Sequence, residues 1–416
     1  MSWVSQAFNF LFALFFLLSF KRASAHTLII VLVLSALAYY FTYRPPLKFS
    51  RGLRWLIVAC VLMFLSVLPP LFIESDLASW RYNLPTLEMP LIYIFGAVIL
   101  VCLSGANLNL KQTWIFKSMA IACTLNGSIA LIQRIFLNIG RVSGWSSIMA
   151  FVVLTSIAIF GCYIYALYSK ERSEKILFSV ALLLGFVVVL FSGTRSAMTA
   201  FFVGFVFLSV LVLYVQKSLR ALTYMLVIVA GFASLFALDH FLEKRGVLQT
   251  ARSTTDSFTH DLKLYAQKDP DTSTGLRLAR WKVAFAIMRL SPIFGMSSST
   301  KCKRLSEILA LAHSYRKAED INCAERYENE ILNTLASRGL VGLGVLFLFW
   351  AVVWLFFWRR LSINPQVSLL VLSMLVFYLV FAMGFDPFSF FTEGSFFMGI
   401  VALGVIATQS TKPQRA

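Results

Sequence analysis

The feature that most constrains this chain is a succession of apolar runs, each about as long as a bilayer's hydrocarbon core is thick. A helix needs roughly 20 apolar residues to cross that core, because lipid offers no partner to an unpaired backbone N–H or C=O. Such runs fall at 3–20, 26–43, 53–73, 88–107, 113–137, 145–169, 176–193, 197–216, 221–240, 340–358, 366–384 and 391–408. The pattern predicts an all-α polytopic membrane protein of about twelve transmembrane helices. Composition agrees, with 59% hydrophobic and only 13% charged residues, about half the share of roughly 25% usual in soluble domains. The first run lacks a basic leader and a small-residue cleavage site, so it reads as a retained helix rather than a signal peptide.

A net charge of +18 would suit nucleic acid, but its distribution points elsewhere. Outside one long loop the basic residues sit in short clusters between apolar runs, as membrane-flanking residues do. Arg44, Lys48, Arg51, Arg54, Lys111, Lys117, Lys170, Arg172, Lys175, Lys217, Arg220, Arg359, Arg360, Lys412 and Arg415 fall on one side. Only Lys21, Arg22, Arg81, Arg134, Arg141 and Arg195 fall on the other. Fifteen against six makes the richer side cytoplasmic. Both termini are then inside, and the segment 241–338 is outside together with the turn holding Arg195. The chain divides on this reading into 1–240 with nine spans, a helical outer loop domain at 241–338, and 339–416 with three spans and a tail.

The loop holds eleven of the nineteen acidic and sixteen of the thirty-seven basic residues. It is too long for a plain connection and should fold on the membrane surface. Three helices are expected within it. The first follows the N-cap candidates Asp271-Thr272-Ser273-Thr274 and stops at Ser291-Pro292; the second spans about 303–317; the third starts near Tyr327 and runs to Gly339. Cys60, Cys102, Cys123 and Cys162 lie in apolar runs as core residues, whereas Cys302 and Cys323 share the loop, where a disulfide or two free thiols are equally open.

Three groups of residues could carry chemistry. Arg195 sits in Phe191-Ser192-Gly193-Thr194-Arg195-Ser196, the sole charge of an outer turn rich in small residues. It is either an interfacial arginine reaching for headgroups or an anion ligand, since ionisable residues at membrane depth are usually paired or functional. Arg277 and Arg280, three apart, share a helix face and could grip phosphate bidentately; a solvated basic face is the plainer alternative. In Arg326-Tyr327-Glu328-Asn329-Glu330, acidic residues opening a helix fit ordinary capping, or else place a proton-accepting carboxylate at the membrane surface. His313 falls on the second loop helix but stands alone. Asp269-Pro270-Asp271 and Glu74-Ser75-Asp76 have acid-x-acid spacing for a divalent cation, although a turn or cap explains the first as well. His260 and Ser192 have no partners at triad spacing.

Together these segments resemble the bacterial O-antigen ligase family, which includes related polymerases. The likeness rests on the Thr194-Arg195-Ser196 turn, on Gly275-Leu276-Arg277-Leu278-Ala279-Arg280-Trp281, and on Asn329-Glu330-Ile331 with Gly339-Leu340-Val341-Gly342. The resemblance implies a GT-C-like bundle with a periplasmic loop domain between helices 9 and 10. It implies an inner-membrane enzyme moving O-antigen from undecaprenyl diphosphate to a sugar of lipid A–core, inverting, with neither cofactor nor metal. Arg195 and Arg277, with Arg280 beside them, would bind the diphosphate of the lipid-linked glycan. Tyr327 and Asn329 would support the site. Family ligases carry a histidine directly before this Asn; here Glu328 stands there, and Arg326 stands where some members have another histidine. Either Glu328 is the catalytic base, or His313 supplies the imidazole, or the copy is impaired. The resemblance also leaves open a polymerase joining lipid-linked repeats. From other classes come a non-enzymatic lipid-linked glycan transporter and a metal-dependent transferase using Asp269 and Asp271.

Overall fold

The computed structural model describes residues 2–18, 24–73, 83, 86–106, 108–145, 147–217, 220–244, 254–267, 271–313 and 325–410. Among them every regular element is helical: α1 (Ser2–Leu18), α2 (Ser24–Tyr43), α3 (Arg51–Leu65), α4 (Leu68–Phe72), α5 (Leu91–Cys102), α6 (Gln112–Leu131), α7 (Ile148–Tyr168), α8 (Arg172–Phe191), α9 (Arg195–Gln216), α10 (Arg220–Lys244), α11 (Thr254–Ala266), α12 (Ser273–Leu290), α13 (Ser298–Lys303), α14 (Leu305–Ala312), α15 (Glu330–Trp358), α16 (Pro365–Phe381) and α17 (Phe391–Ser410). Eight helices of the described residues are long and apolar enough to cross a membrane. Four shorter apolar helices, at Trp3–Leu17, Thr86–Cys102, Leu222–Gly231 and Pro365–Phe381, fall where further spans are expected.

The bundle is built around two helices that lipid hardly touches. Of their most apolar stretches, 83% in α7 and 94% in α17 is buried inside the protein. A helix that is apolar all round has no polar face to turn outward, so it settles at the centre of a bundle. The others pack around this pair: α9 runs along α16, α8 against α6 and α7, α15 against α3, and α2 against α5 and α17. Small residues set the closest crossings. A Cβ on Gly127 of α6 would lie 2.3 Å from the Leu184 carbonyl oxygen of α8.

Outside the bundle α11, α12 and α14 form a small cap with its own apolar core. Val283, Ala286 and Ile287 of α12 pack with Ile308 and Ala312 of α14 and with Leu332, Leu335 and Ala336 of α15. The first expected loop helix is found from Ser273 to Leu290, capped by Thr272, whose hydroxyl accepts from Gly275 N at 3.0 Å. The second differs from expectation. It breaks into α13 and α14, and it ends at Ala312, where His313 turns into the left-handed region (φ 46°) and so caps the helix instead of riding on it. The third starts at Glu330 rather than near Tyr327, because Asn329 is the N-cap and accepts from Leu332 N at 3.0 Å.

That third helix continues into the next span, interrupted only at Gly339 (φ 63°, ψ −160°). The break exposes main-chain groups that a continuous helix would satisfy. The turn after α12 takes them up: Leu340 N donates to Pro292 O, Val341 N to Ile293 O, and Met296 N to Ala336 O. Cys302 is disulfide-bonded, and Cys323 lies outside the described residues. So do Glu74, Ser75, Asp76, Arg81, Asp269 and Pro270.

A Cβ at Gly339 would meet Ile293 O at 2.3 Å, and the positive φ adds to the strain. Gly339→Ala should therefore lower stability by about 1–3 kcal/mol, read as a fall in the unfolding midpoint of the detergent-solubilised protein. Gly344→Ala is the control: its Cβ would touch nothing within 4 Å, and the midpoint should hold or rise.

Candidate functional site

Helix α12 of the cap presents two faces. Ala279, Val283, Ala286 and Ile287 are buried against the neighbouring helices. Arg277 and Arg280, three residues apart, point the other way, to the chain that leads back into the bundle. There Arg277 Nε donates to Glu328 Oε2 at 2.6 Å, Arg280 Nη1 donates to Glu328 Oε1, and Arg280 Nε donates to Glu325 Oε1 at 2.8 Å. One carboxylate thus bridges two guanidiniums and a second carboxylate takes the remaining edge. The four side chains are 17–30% exposed, which leaves them open to a solute while removing much of their water. Charge-assisted bonds gain strength in such a place.

Local backbone holds this arrangement. Glu328 adopts φ 49°, a conformation uncommon outside glycine. Trp281 Nε1 donates to Tyr327 O at 3.0 Å, tying the same turn to α12. Asn329 Nδ2 donates to Met383 O at 2.9 Å, Glu330 N to Ala382 O, and Asn333 Nδ2 to Ser389 Oγ at 2.7 Å. The Glu328 turn therefore rests on the connection between α16 and α17.

The turn that carries Arg195 adjoins the same connection. Arg195 is exposed at the first turn of α9, and Ser196 next to it packs on Gly384, whose added Cβ would lie 2.9 Å from Ser196 Cβ. Gly384 directly follows Met383, the residue that holds Asn329. Thus the Arg195 turn and the Arg277–Glu328–Arg280 cluster flank one connection at one end of the bundle. Two further arginines, read from the sequence only as topology markers, adjoin the Arg195 turn. Arg141 donates from Nε to Ser192 O at 3.2 Å and from Nη2 to Thr194 Oγ1 at 3.4 Å. Arg134, 1% exposed, lies in the π-helical turn Ile132–Phe136 with its guanidinium 5.6 Å from the centre of the Phe191 ring. π-Helical turns are rare and recur at functional sites.

Sequence reasoning also missed Asp386. It is 1% exposed, and neither carboxylate oxygen has a hydrogen-bond partner among the described residues. Burial, reinforced by the Glu330 carboxylate, pushes its carboxyl well above the usual range. Glu330 is itself buried and accepts from Phe388 N at 3.1 Å. Arg326 lies over the Phe390 ring at 4.0 Å. The one available signal was an acid in the short, otherwise uncharged connection Phe385-Asp386-Pro387. His313 is exposed and joins none of these groups. No three acidic, His or Cys residues gather as metal ligands among the described residues.

If the Arg280–Glu328 contact is a working pair, Arg280→Ala and Glu328→Ala should not add. A double-mutant cycle on unfolding free energy should give a coupling of about 0.5–3 kcal/mol, and simple additivity would show that the two are independent. Comparison with known proteins bears on the whole region. No curated protein matches the chain. Residues 180–347 match the family model described as O-antigen ligase, a stretch that contains Arg195, Arg277, Arg280 and Tyr327 to Glu330. Through residues 180–347, the chain is similar to the O-antigen ligase family.

Proposed function

We propose that the chain is an inner-membrane glycosyltransferase that moves O-antigen from undecaprenyl diphosphate to a sugar hydroxyl of lipid A–core. The carrying observation is the gathering of Arg277 and Arg280 about Glu328, beside the connection that the Arg195 turn also touches. The family match over residues 180–347 supports a lipid-linked glycan as substrate. The lysine and arginine bias of the short connections supports a periplasmic site with both termini cytoplasmic. In this reading residues 1–240 and 339–416 supply the spans, and 241–338 supply a periplasmic cap.

The chemistry follows from charge. At rest two guanidiniums are neutralised by Glu325 and Glu328. An arriving diphosphate, doubly charged and matched to the guanidinium fork, takes Arg277 and Arg280 from Glu328, while Arg195 meets it from the bundle side. The displaced carboxylate then lies beside the reacting centre without its two cations, and is the better proton acceptor for it. The acceptor hydroxyl oxygen attacks the anomeric carbon as the bond to the diphosphate oxygen breaks. The hydroxyl proton passes to Glu328, and the lipid diphosphate leaves on the arginines. Attack opposite the leaving group inverts the anomeric centre. Fixed cations in a partly dehydrated site stabilise the departing charge as a metal ion would.

The test is transfer in vitro from purified lipid-linked glycan to lipid A–core. The wild-type protein should form ligated product in the presence of EDTA. Arg277→Ala should lose about 10²–10³-fold in rate, and Glu328→Gln should also be slow. Full activity in Arg277→Ala would remove the diphosphate role, and a Glu328→His variant faster than wild type would remove Glu328 as the evolved base. Product extended on the lipid-linked glycan instead of lipid A–core would make the enzyme a polymerase.

A further inference from the structure

A second stretch of chain is fastened along the turn that carries Arg195. Val142 N donates to Phe191 O at 3.0 Å. Arg141 Nε donates to Ser192 O at 3.2 Å, and its Nη2 donates to Thr194 Oγ1 at 3.4 Å. Gly193, between those two acceptors, takes φ 59°, and a Cβ there would lie 3.3 Å from Arg141 Cγ and Nε. Each residue from Phe191 to Thr194 thus meets Arg141 or Val142. Ser192 and Thr194 are buried, which shields these bonds from competing water.

The threonine of this turn is diverted from its ordinary use. Thr194 is the N-cap of α9, yet its side chain makes no cap hydrogen bond, where a threonine commonly accepts from the second or third helical N–H. Its hydroxyl instead accepts from Arg141 and donates to Ser192 O at 3.4 Å. The turn gives up a bond that would stabilise its own helix, so the contact serves the shape of the turn. The segment that supplies Arg141 is closed on itself by Gln133. Its Nε2 donates to Gly144 O at 3.1 Å, and its Oε1 accepts from Ser143 N and Gly144 N at 3.1 and 3.0 Å. Arg141 therefore projects from a loop that is fixed behind it.

We propose that Arg141 is a positioning residue for Arg195: by bridging the Ser192 carbonyl and the Thr194 hydroxyl it fixes the turn from which Arg195 emerges, and so sets how that guanidinium meets the lipid-linked diphosphate. The clamp itself follows from the contacts; that it serves diphosphate binding rests on the glycosyltransferase reading. Arginine suits the task because its planar fork reaches two acceptors at once, whereas a lysine ammonium is a point charge on a flexible stem. Precision matters here, since a misplacement of about 1 Å can cost roughly 10²-fold in rate.

The experiment uses the full chain in nanodiscs and reads both glycan transfer and amide hydrogen exchange. Arg141→Ala should lower kcat/KM for the lipid-linked donor by about 10- to 100-fold at a wild-type thermal midpoint. Arg141→Lys should recover little of it. In an Arg195→Ala background the same Arg141→Ala change should cost less than about threefold further, because the guanidinium it aims is gone. Full transfer in either Arg141 variant, or an undiminished loss in the Arg195→Ala background, would overturn the positioning role. If Arg141→Ala does not fold, Thr194→Val, which removes one acceptor and leaves the guanidinium, carries the same comparison.

Hydrogen exchange separates the clamp from the chemistry. Arg141→Ala should speed exchange across residues 192–197 by about tenfold, the effect of losing a hydrogen bond to a charged group, and leave the rest of α9 unchanged. Unchanged exchange in the turn would overturn the clamp whatever the transfer rate. Faster exchange in a protein whose wild type transfers no glycan would refute the transferase reading, and with it a diphosphate for Arg195 to meet, while the clamp stands.

Discussion

The cap depends on a single carboxylate held between two guanidiniums. Glu328 accepts from both Arg277 and Arg280, and it directly precedes Asn329 and Glu330, which anchor the chain on the connection between α16 and α17. Without it, two like charges one helical turn apart would face each other across a partly dehydrated gap. The uncommon backbone conformation of Glu328 is the local cost of aiming its side chain back at α12. An anion that replaces this carboxylate inherits a seat already shaped for two negative oxygens.

The bundle beneath provides the geometry. Because α7 and α17 are buried nearly all round, the helices about them are fixed on their inner sides, and the connections at their ends start from rigid stems. The short connection after α16 is where this rigidity reaches the site: it holds Asn329 and Asn333 on one flank and Ser196 on the other. Turns far apart in sequence thereby adjoin one connection, though nothing in their own neighbourhoods pairs them.

Much of the architecture could be read from residue order. Apolar length alone located the long helices, and capping chemistry located the start of α12 to a tetrad, Asp271 to Thr274, of which Thr272 is the cap, and its end at Ser291. Asn329 likewise caps its helix from within its own tetrad, although the expected start near Tyr327 fell three residues early. Glu328 and Arg277 were legible as candidates through the family resemblance, but their mutual contact was not, since 51 residues separate them. Arg134 and Arg141 were hidden for a different reason: in sequence they look like flanking charges, and only packing against Phe191, Ser192 and Thr194 distinguishes them. Asp386 gives no sequence signal of burial, because a hydropathy pattern cannot tell a charged residue beside the membrane from one folded beneath its neighbours.

The interruption at Gly339 has a consequence for how the arginines keep their place. The bonds that fasten the end of α12 to the start of the following span run between main-chain atoms, from 340, 341 and 296 to 292, 293 and 336. No side chain takes part in these bonds, so the register between cap and membrane is indifferent to most substitutions at the exposed Ile293, Leu340 and Val341. Evolution can therefore redecorate this seam for different lipids or partners while α12 stays in alignment. Only residues that alter the backbone itself, a proline donor or a glycine lost, could shift the two guanidiniums from a distance.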